Sequence, residues 1–306
     1  MWKLTQAFGR PSFLIWPEMV SCMNSKPMKN WKILLPALLM VLAVASCGGD
    51  AASAGNAAEN PNSVGTSDGN SGTAAGGMEA GGLKLTPFTG SPEFPGAKLG
   101  LINPPAGADL VAGNNRFEFS VTNFVLDEPT PQMEEYGIAD NPEGQYVALI
   151  LNNGPVIQMN EASHDQKLDD GHYVMLAVPS LSYHESEKTS GGHILRKFNV
   201  GQPENYKEID LKAPHMFYHW PSGSVTGGKV LLDFYLVNCT LGPDNFKVKA
   251  TINGTGFTLT NWASYIIEGL PMGENKIKLE LLDATGASVS SPFNPVERTF
   301  TLEAGA

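Results

Sequence analysis

The sequence predicts an all-β protein: two tandem immunoglobulin-like β-sandwiches after a signal peptide and a disordered tether. Three observations carry that reading. From Leu83 onward, short apolar runs alternate with clusters of Gly, Pro, Asn and Asp, the rhythm of strands and turns in a sandwich. KIKLELLD at 276–283 alternates with period two, placing Ile277, Leu279 and Leu281 on one face and Lys276, Lys278 and Glu280 on the other. Third, the chain repeats itself. FEFSVTNFVL (117–126) aligns with LDFYLVNCTL (232–241), with an acid second, Phe third, Asn seventh and Leu tenth. YVALILNNG (146–154) then aligns with FKVKATING (246–254), LDDG (168–171) with LPMG (270–273), and FNVG (198–201) with FTLE (300–303). Matched landmarks in one order mark two copies of one module. Each copy holds about seven short strands, and no helical periodicity persists long enough to compete.

The residues ahead of the modules predict an address. Lys29 and Lys32 precede an apolar run over 33–45, and Val44-Ala45-Ser46 places small residues before Cys47. A basic start, a short apolar stretch and small residues before the cut make a secretory signal over 1–47. The stretch is similar to the lipobox of bacterial lipoproteins, which implies that Cys47 is diacylated and becomes the mature N-terminus. Two acyl chains anchor stably where one binds only marginally. The basic residues sit far from Met1, so Met28 is the expected start, and Cys22 is then not made. Cys239 is left alone after acylation of Cys47, and no intrachain disulfide is expected. Residues 48–82 are rich in Gly, Ala, Ser and Asn, with too little apolar surface to offset the entropy of ordering. They predict a disordered linker reaching on the order of 30 Å. The two sandwich repeats are expected at 83–202 and 203–306.

Composition excludes some partners. The formal net charge is -11 at pH 7, and the first 47 residues hold five of the 20 basic and one of the 31 acidic residues, so the acidic excess lies in the modules. Nucleic acid is not an expected partner, because that affinity rests on clustered Lys and Arg. No apolar run approaches the roughly 20 residues of a membrane-spanning helix. The first repeat carries an insert absent from the second, DEPTPQMEEYGIADNPEG (127–144), whose acidic and Pro-bearing composition predicts a surface loop.

Several stretches resemble a family of uncharacterised bacterial lipoproteins with two tandem immunoglobulin-like repeats. They are SYHESEK (182–188), where that family has a Trp-His-Glu-Ser core and this chain has Tyr183 at the Trp position, LLDFYLVN (231–238), and residues 248–283. The resemblance spans most of 100–303. It implies the fold and carries no activity.

Side chains capable of chemistry are sparse. His215 and His219 stand four apart in HMFYHW, which on a strand separates them by about 13 Å, too far to share an ion. His164, Asp165, Asp169, Asp170 and His172 are dense but fit neither a calcium loop nor a zinc motif. No metal site and no cofactor is expected. His184-Glu185 is the most distinctive polar pair, yet neighbours on a strand point to opposite faces, so a role in fixing the local loop is favoured over acid–base work. No nucleophile motif or glycine-rich phosphate loop is present. Tyr218, Trp220 and Trp262, with Tyr183, His184 and Glu185, are the candidate ligand-binding residues, since exposed aromatic faces take sugars or protein partners and buried ones form cores. The expected function is a non-enzymatic, lipid-anchored envelope protein whose modules serve binding, adhesion or scaffolding. Its expected partners are the membrane, through lipidated Cys47, and an envelope protein or glycan. The alternatives are a metal- or carboxylate-dependent hydrolase centred on His184, and a carbohydrate-binding module using exposed aromatic residues.

Overall fold

In a computed structural model of the chain, the described residues are 77–131, 136–139, 141–188, 192–204 and 208–305. The signal peptide, Cys47 and residues 48–76 of the expected linker lie outside them. Every regular element among the described residues is a strand. The chain opens with β1 (Met78–Ala80) and β2 (Leu83–Pro87), and the first module follows. Its strands are β3 (Lys98–Asn103), β4 (Gly113–Thr122), β5 (Tyr146–Leu151), β6 (Ile157–Met159), β7 (Ser163–Leu168), β8 (Gly171–Ser180) and β9 (Ile194–Val200). The second module comprises β10 (His215–Trp220), β11 (Gly223–Thr226), β12 (Val230–Val237), β13 (Lys247–Ile252), β14 (Thr255–Leu259), β15 (Tyr265–Glu268), β16 (Gly273–Leu282) and β17 (Val296–Glu303).

The two modules share one topology. In the first, β3-β4-β7 faces β6-β5-β8-β9; in the second, β10-β12-β15 faces β14-β13-β16-β17. Leu110 makes a parallel bridge to Val200 where the second module has β11 running parallel to β17. Registers superpose as well. Lys98 pairs with Thr122 as His215 pairs with Val237, and both partner strands end at an Asn with positive φ, Asn123 and Asn238. Asn tolerates this left-handed conformation better than other side chains. One alignment shifts by a residue: Tyr146 pairs with Ser180 as Lys247 pairs with Leu282, so Tyr146 corresponds to Lys247 and not to Phe246. The matching turns are then Asn152-Asn153 and Asn253-Gly254, all four at positive φ. That is the backbone a two-residue hairpin turn requires.

Each sandwich has its own core. Phe117, Phe119, Val147, Leu149, Met175 and Ala177 fill the first. Leu232, Phe234, Val248, Ala250, Ile277, Leu279, Leu281 and Phe300 fill the second, with the period-two alternation of β16 placing Ile277, Leu279 and Leu281 inward. A third cluster lies between the modules. Tyr146, Ala148 and Ile150 of β5 and Val174, Leu176 and Val178 of β8 pack from the outer face of the first module's sheet onto Phe217, Tyr235 and Val237 of the second. Both faces of β5, β8, β10 and β12 are therefore covered. This accounts for their unbroken apolar runs where a half-exposed strand would alternate.

The module boundaries differ from the expected ones. Residues 83–87 do not join the first sandwich: β2 pairs antiparallel with β15 of the second, Ile267 opposite Leu85, and β1 pairs with β2. Leu83 and Leu85 belong to the second module's core. Physically, β15 has an open edge and LKLTP offers two apolar residues on one face. The first module is thus inserted between β2 and β10 of the second, and residues 78–82, expected in the linker, are ordered by the same pairing. The 127–144 insert is likewise not a free surface loop. Thr130 and Asn141 are buried, Ile138 bridges to Lys229 and joins the second module's core, and Tyr136 packs edge-on against Phe88. Its apolar Tyr136 and Ile138 outweigh its acids and make it a strap across the two modules.

Asn153, where the second module has Gly254, fastens the modules at the other end. Its Nδ2 donates to the carbonyls of Met216 and Phe293 (both 3.1 Å) and its Oδ1 accepts from the Tyr218 amide (2.8 Å), closing part of the edge of β10. Arg298 donates to the carbonyls of Asn153, Gly154 and His219 and lies 4.6 Å over the Tyr218 ring. Truncating Leu85 to Ala, at a fully buried position, is expected to destabilise the second module by about 2–5 kcal/mol. Urea unfolding followed by the fluorescence of Trp220 and Trp262 measures it. A loss under about 0.5 kcal/mol, the range of ordinary surface substitutions, would detach the N-terminal strand from that core.

Candidate functional site

After β8 the chain turns back through Leu181-Ser182-Tyr183-His184-Glu185. His184 has φ of 66°; its amide donates to the Leu181 carbonyl (2.9 Å), and the Leu181 amide to the Glu185 carbonyl (2.8 Å). Loops ordinarily lie on the surface, yet every residue from 181 to 187 is buried, because the turn is pressed into the second module. The expected opposition of His184 and Glu185 on a strand therefore does not hold. In the turn, both side chains reach groups elsewhere in the fold.

Those groups form a polar cluster built from both modules. Asp233, on β12, is fully buried. Its Oδ1 lies 2.6 Å from Lys188 Nζ and accepts from Ser264 Oγ (2.6 Å); its Oδ2 accepts from the Ser186 amide (3.0 Å) and Ser186 Oγ (2.6 Å). Ser264 Oγ also lies 2.8 Å from Glu185 Oε1, which is 3.8 Å from Lys188 Nζ, and Ser91 Oγ donates to the other Glu185 oxygen. His219, on β10, sits with Nδ1 3.1 Å from Asp233 Oδ2 and Nε2 3.0 Å from Ser180 Oγ. The Tyr146 ring stacks over His219 and its hydroxyl meets His184 Nδ1 at 3.0 Å, while His184 stacks on Trp220 with centroids 3.6 Å apart. Burial alone would push the Asp233 carboxyl up. The Lys188 charge, with His219 beside it, overrides burial and holds the group well below the ordinary carboxylate range.

Ser180, His219 and Asp233 have the atom pairing of a Ser-His-Asp relay, yet all three side chains are fully buried in the interface. Of the candidate ligand-binding residues, Tyr183, His184, Glu185, Tyr218 and Trp220 are buried here or in the second core. A ligand reading of those five is corrected: sheet-on-sheet packing covers the faces a sugar would need. Trp262 is half-buried, its Nε1 donating to the Phe234 carbonyl (3.1 Å) and its ring edge-on to Tyr235. The contacts required of a His184 hydrolase are absent from this turn. His172 pairs with Asn199 and His193 with Tyr235 instead. Among the described residues no three His, Cys, Asp or Glu side chains could hold a metal ion. Sequence reasoning missed Ser180, Lys188, His219, Asp233 and Ser264, which lie far apart in the chain and carry no spacing motif.

An accessible site lies on β9. Two adjoining cavities, of about 210 and 230 Å³, share Lys197, Phe198 and Asn199. Pro104, Pro105, Asp109 and Arg196 line one; His172, Tyr173 and Ile209 line the other. The Tyr173 and Phe198 rings stack nearly parallel, 5.5 Å apart.

The strand order defines the class: a pair of immunoglobulin-like sandwiches, one inserted in the other. No family model matches the chain, and neither does any curated protein. Among solved structures, the chain is similar to fibronectin(III)-like modules of Clostridium thermocellum CbhA, at 13% identity over 67% of this chain and 94% of that one, TM-score 0.24. It is similar to the Bacteroides ovatus mixed-linkage glucan utilization locus protein SGBP-B in complex with a mixed-linkage heptasaccharide, at 10% identity over 68% and 71%, TM-score 0.19. Domains 4 and 5 of the S-layer protein SbsC match at 13% identity over 69% and 99%, TM-score 0.17. Likeness at these scores carries no functional argument.

Burial, with His219 alongside, lowers the His184 imidazole to about 3. In the unfolded chain it titrates near 6.5. The unfolded state thus takes up the proton first, so this contribution to stability is complete above about pH 6.5 and is lost as pH falls toward 3. Between about pH 7 and 4.5 the loss is expected to be about 2–3 kcal/mol. Replacing His184 by Asn, which tolerates the positive φ, is expected to flatten the urea-midpoint profile in that window, leaving the smaller share of His193, also lowered by burial.

Proposed function

We propose that the chain is a lipid-anchored envelope protein whose two fused sandwiches form a rigid, non-catalytic body for binding, adhesion or scaffolding. The observation that carries this reading is the complete burial of Ser180, His219 and Asp233 at the interface. A nucleophile needs a substrate within hydrogen-bond reach of its base, and here sheet packing occupies that space. The same side chains serve instead to hold the modules in one orientation. Binding then falls to the exposed surface, and β9 suits a glycan: aromatic carbon at Phe198 beside Arg196, Asp109 and Asn199 supplies the stacking and hydrogen bonds that sugars take. Anchoring rests on the resemblance around Cys47 to a lipobox.

Two measurements test it. Replacing Cys47 by Ser is expected to move the protein from the membrane to the soluble fraction and abolish incorporation of labelled palmitate; retention at wild-type levels would remove the anchor. Titration of purified envelope polysaccharide against the full chain is expected to show binding weakened about tenfold by Arg196→Ala with Asn199→Ala, the loss of about 1.4 kcal/mol. Equal affinity would move the partner off β9.

A further inference from the structure

We propose that Lys188 and Asp233 are a self-modification site, joined by an intramolecular amide that the folded protein forms itself. The parts that acyl transfer needs converge on this pair. The amine nitrogen lies 2.6 Å from Asp233 Oδ1, so the fold supplies the proximity that a bimolecular reaction lacks. The other carboxyl oxygen, Oδ2, is cradled by the Ser186 amide at 3.0 Å and the Ser186 hydroxyl at 2.6 Å, two donors placed where an oxyanion would develop. A second carboxylate, Glu185, reaches both reacting groups through one hydroxyl. Lys188 Nζ donates to Ser264 Oγ (3.0 Å), and that oxygen is 2.8 Å from Glu185 Oε1 and 2.6 Å from Asp233 Oδ1. Asp233 is fully buried, while the Lys188 side chain is 18% exposed, which leaves a way out for a small product.

The step balances without an oxidant or another reactant. Transfer of one proton from the Lys188 ammonium to Asp233 Oδ1 gives the neutral amine and acid. Nζ then bonds to Cγ, and the electron pair of the C=O bond moves to Oδ2 under the Ser186 donors. Glu185 accepts a proton from nitrogen through Ser264 and returns it by the same hydroxyl to Oδ1. The Cγ–Oδ1 bond breaks, and Oδ1 leaves as water carrying both protons. Ammonium and carboxylate become an amide and one water, and the interface shields the product from hydrolysis. An ordinary ion pair needs neither the cradle nor the second carboxylate on a shared hydroxyl. The link would join the β8–β9 connection of the first module to β12 of the second.

The mass of the peptides decides it, independently of any binding partner. The full chain is denatured, digested with trypsin and mapped. A branched peptide carrying both Lys188 and Asp233, lighter by one water than its two parts and uncleaved after Lys188, is expected. Glu185→Gln keeps the ion-pair partners and is expected to slow linking on the order of 100-fold, with circular dichroism confirming that the variant folds. Two separate peptides from the wild type, with cleavage after Lys188, would overturn the proposal and leave an ion pair. Linking of the Gln variant at the wild-type rate would overturn the assigned role of Glu185.

Discussion

Two sheet faces that would meet water in a lone sandwich are pressed together between the modules, and the rest of the structure depends on that contact. Comparison of the repeats shows the cost of separating them. Where the second module's outer face carries Lys247, Lys249, Lys276, Lys278 and Glu280, the corresponding positions of the first are Tyr146, Ala148, Val174, Leu176 and Val178. The other side shows the reverse contrast. Glu118, Ser120 and Thr122 line the outer face of β4, whereas Asp233, Tyr235 and Val237 occupy the same positions of β12. Fully burying such apolar side chains contributes roughly 1.5–3 kcal/mol each, so the interface works as a third core and not as a hinge.

At one edge of that core lies the charged cluster, and its placement follows from the same contact. The acid position of β4 and β12 holds Glu118, half-buried, in one repeat and Asp233, fully buried, in the other. Covering a carboxylate is costly unless its charge and both oxygens are met. Lys188, Ser186 and Ser264 meet them, and two of the three come from the turn that the first module contributes. Asp233 is compensated only when the modules sit in this one register. A polar group of this kind selects an orientation that apolar faces alone would leave free to slide.

The sandwich class and the repeat were legible in the residues because period-two alternation in β16 and the ordered landmarks survive without any partner. The module boundaries were not. LKLTP is an ordinary strand sequence, and nothing local says that its neighbour is β15, far along the chain. The single-residue misalignment of YVALILNNG had a larger effect. With Tyr146 set against Phe246, the apolar-for-lysine exchange is hidden; with Tyr146 against Lys247 it becomes a readable sign that the face is covered. The His184-Glu185 pair was correctly picked out as unusual, but its partners Tyr146, Ser264 and Ser91 lie on other elements, so spacing rules for local motifs had nothing to act on.

The placement of β2 beside β15 also bears on the order in which the protein is made. β1 and β2 leave the ribosome first, while the strand they pair with is among the last. All strands of the first module lie between them in one continuous stretch, so that sandwich can close as soon as residue 200 has emerged, as domains generally do during synthesis. Throughout that interval Leu83 and Leu85 have no core to enter. A nascent chain stopped short of Glu268 therefore holds a finished first module between two unpaired pieces of the second, and its exposed apolar strands are of the kind that recruit chaperones.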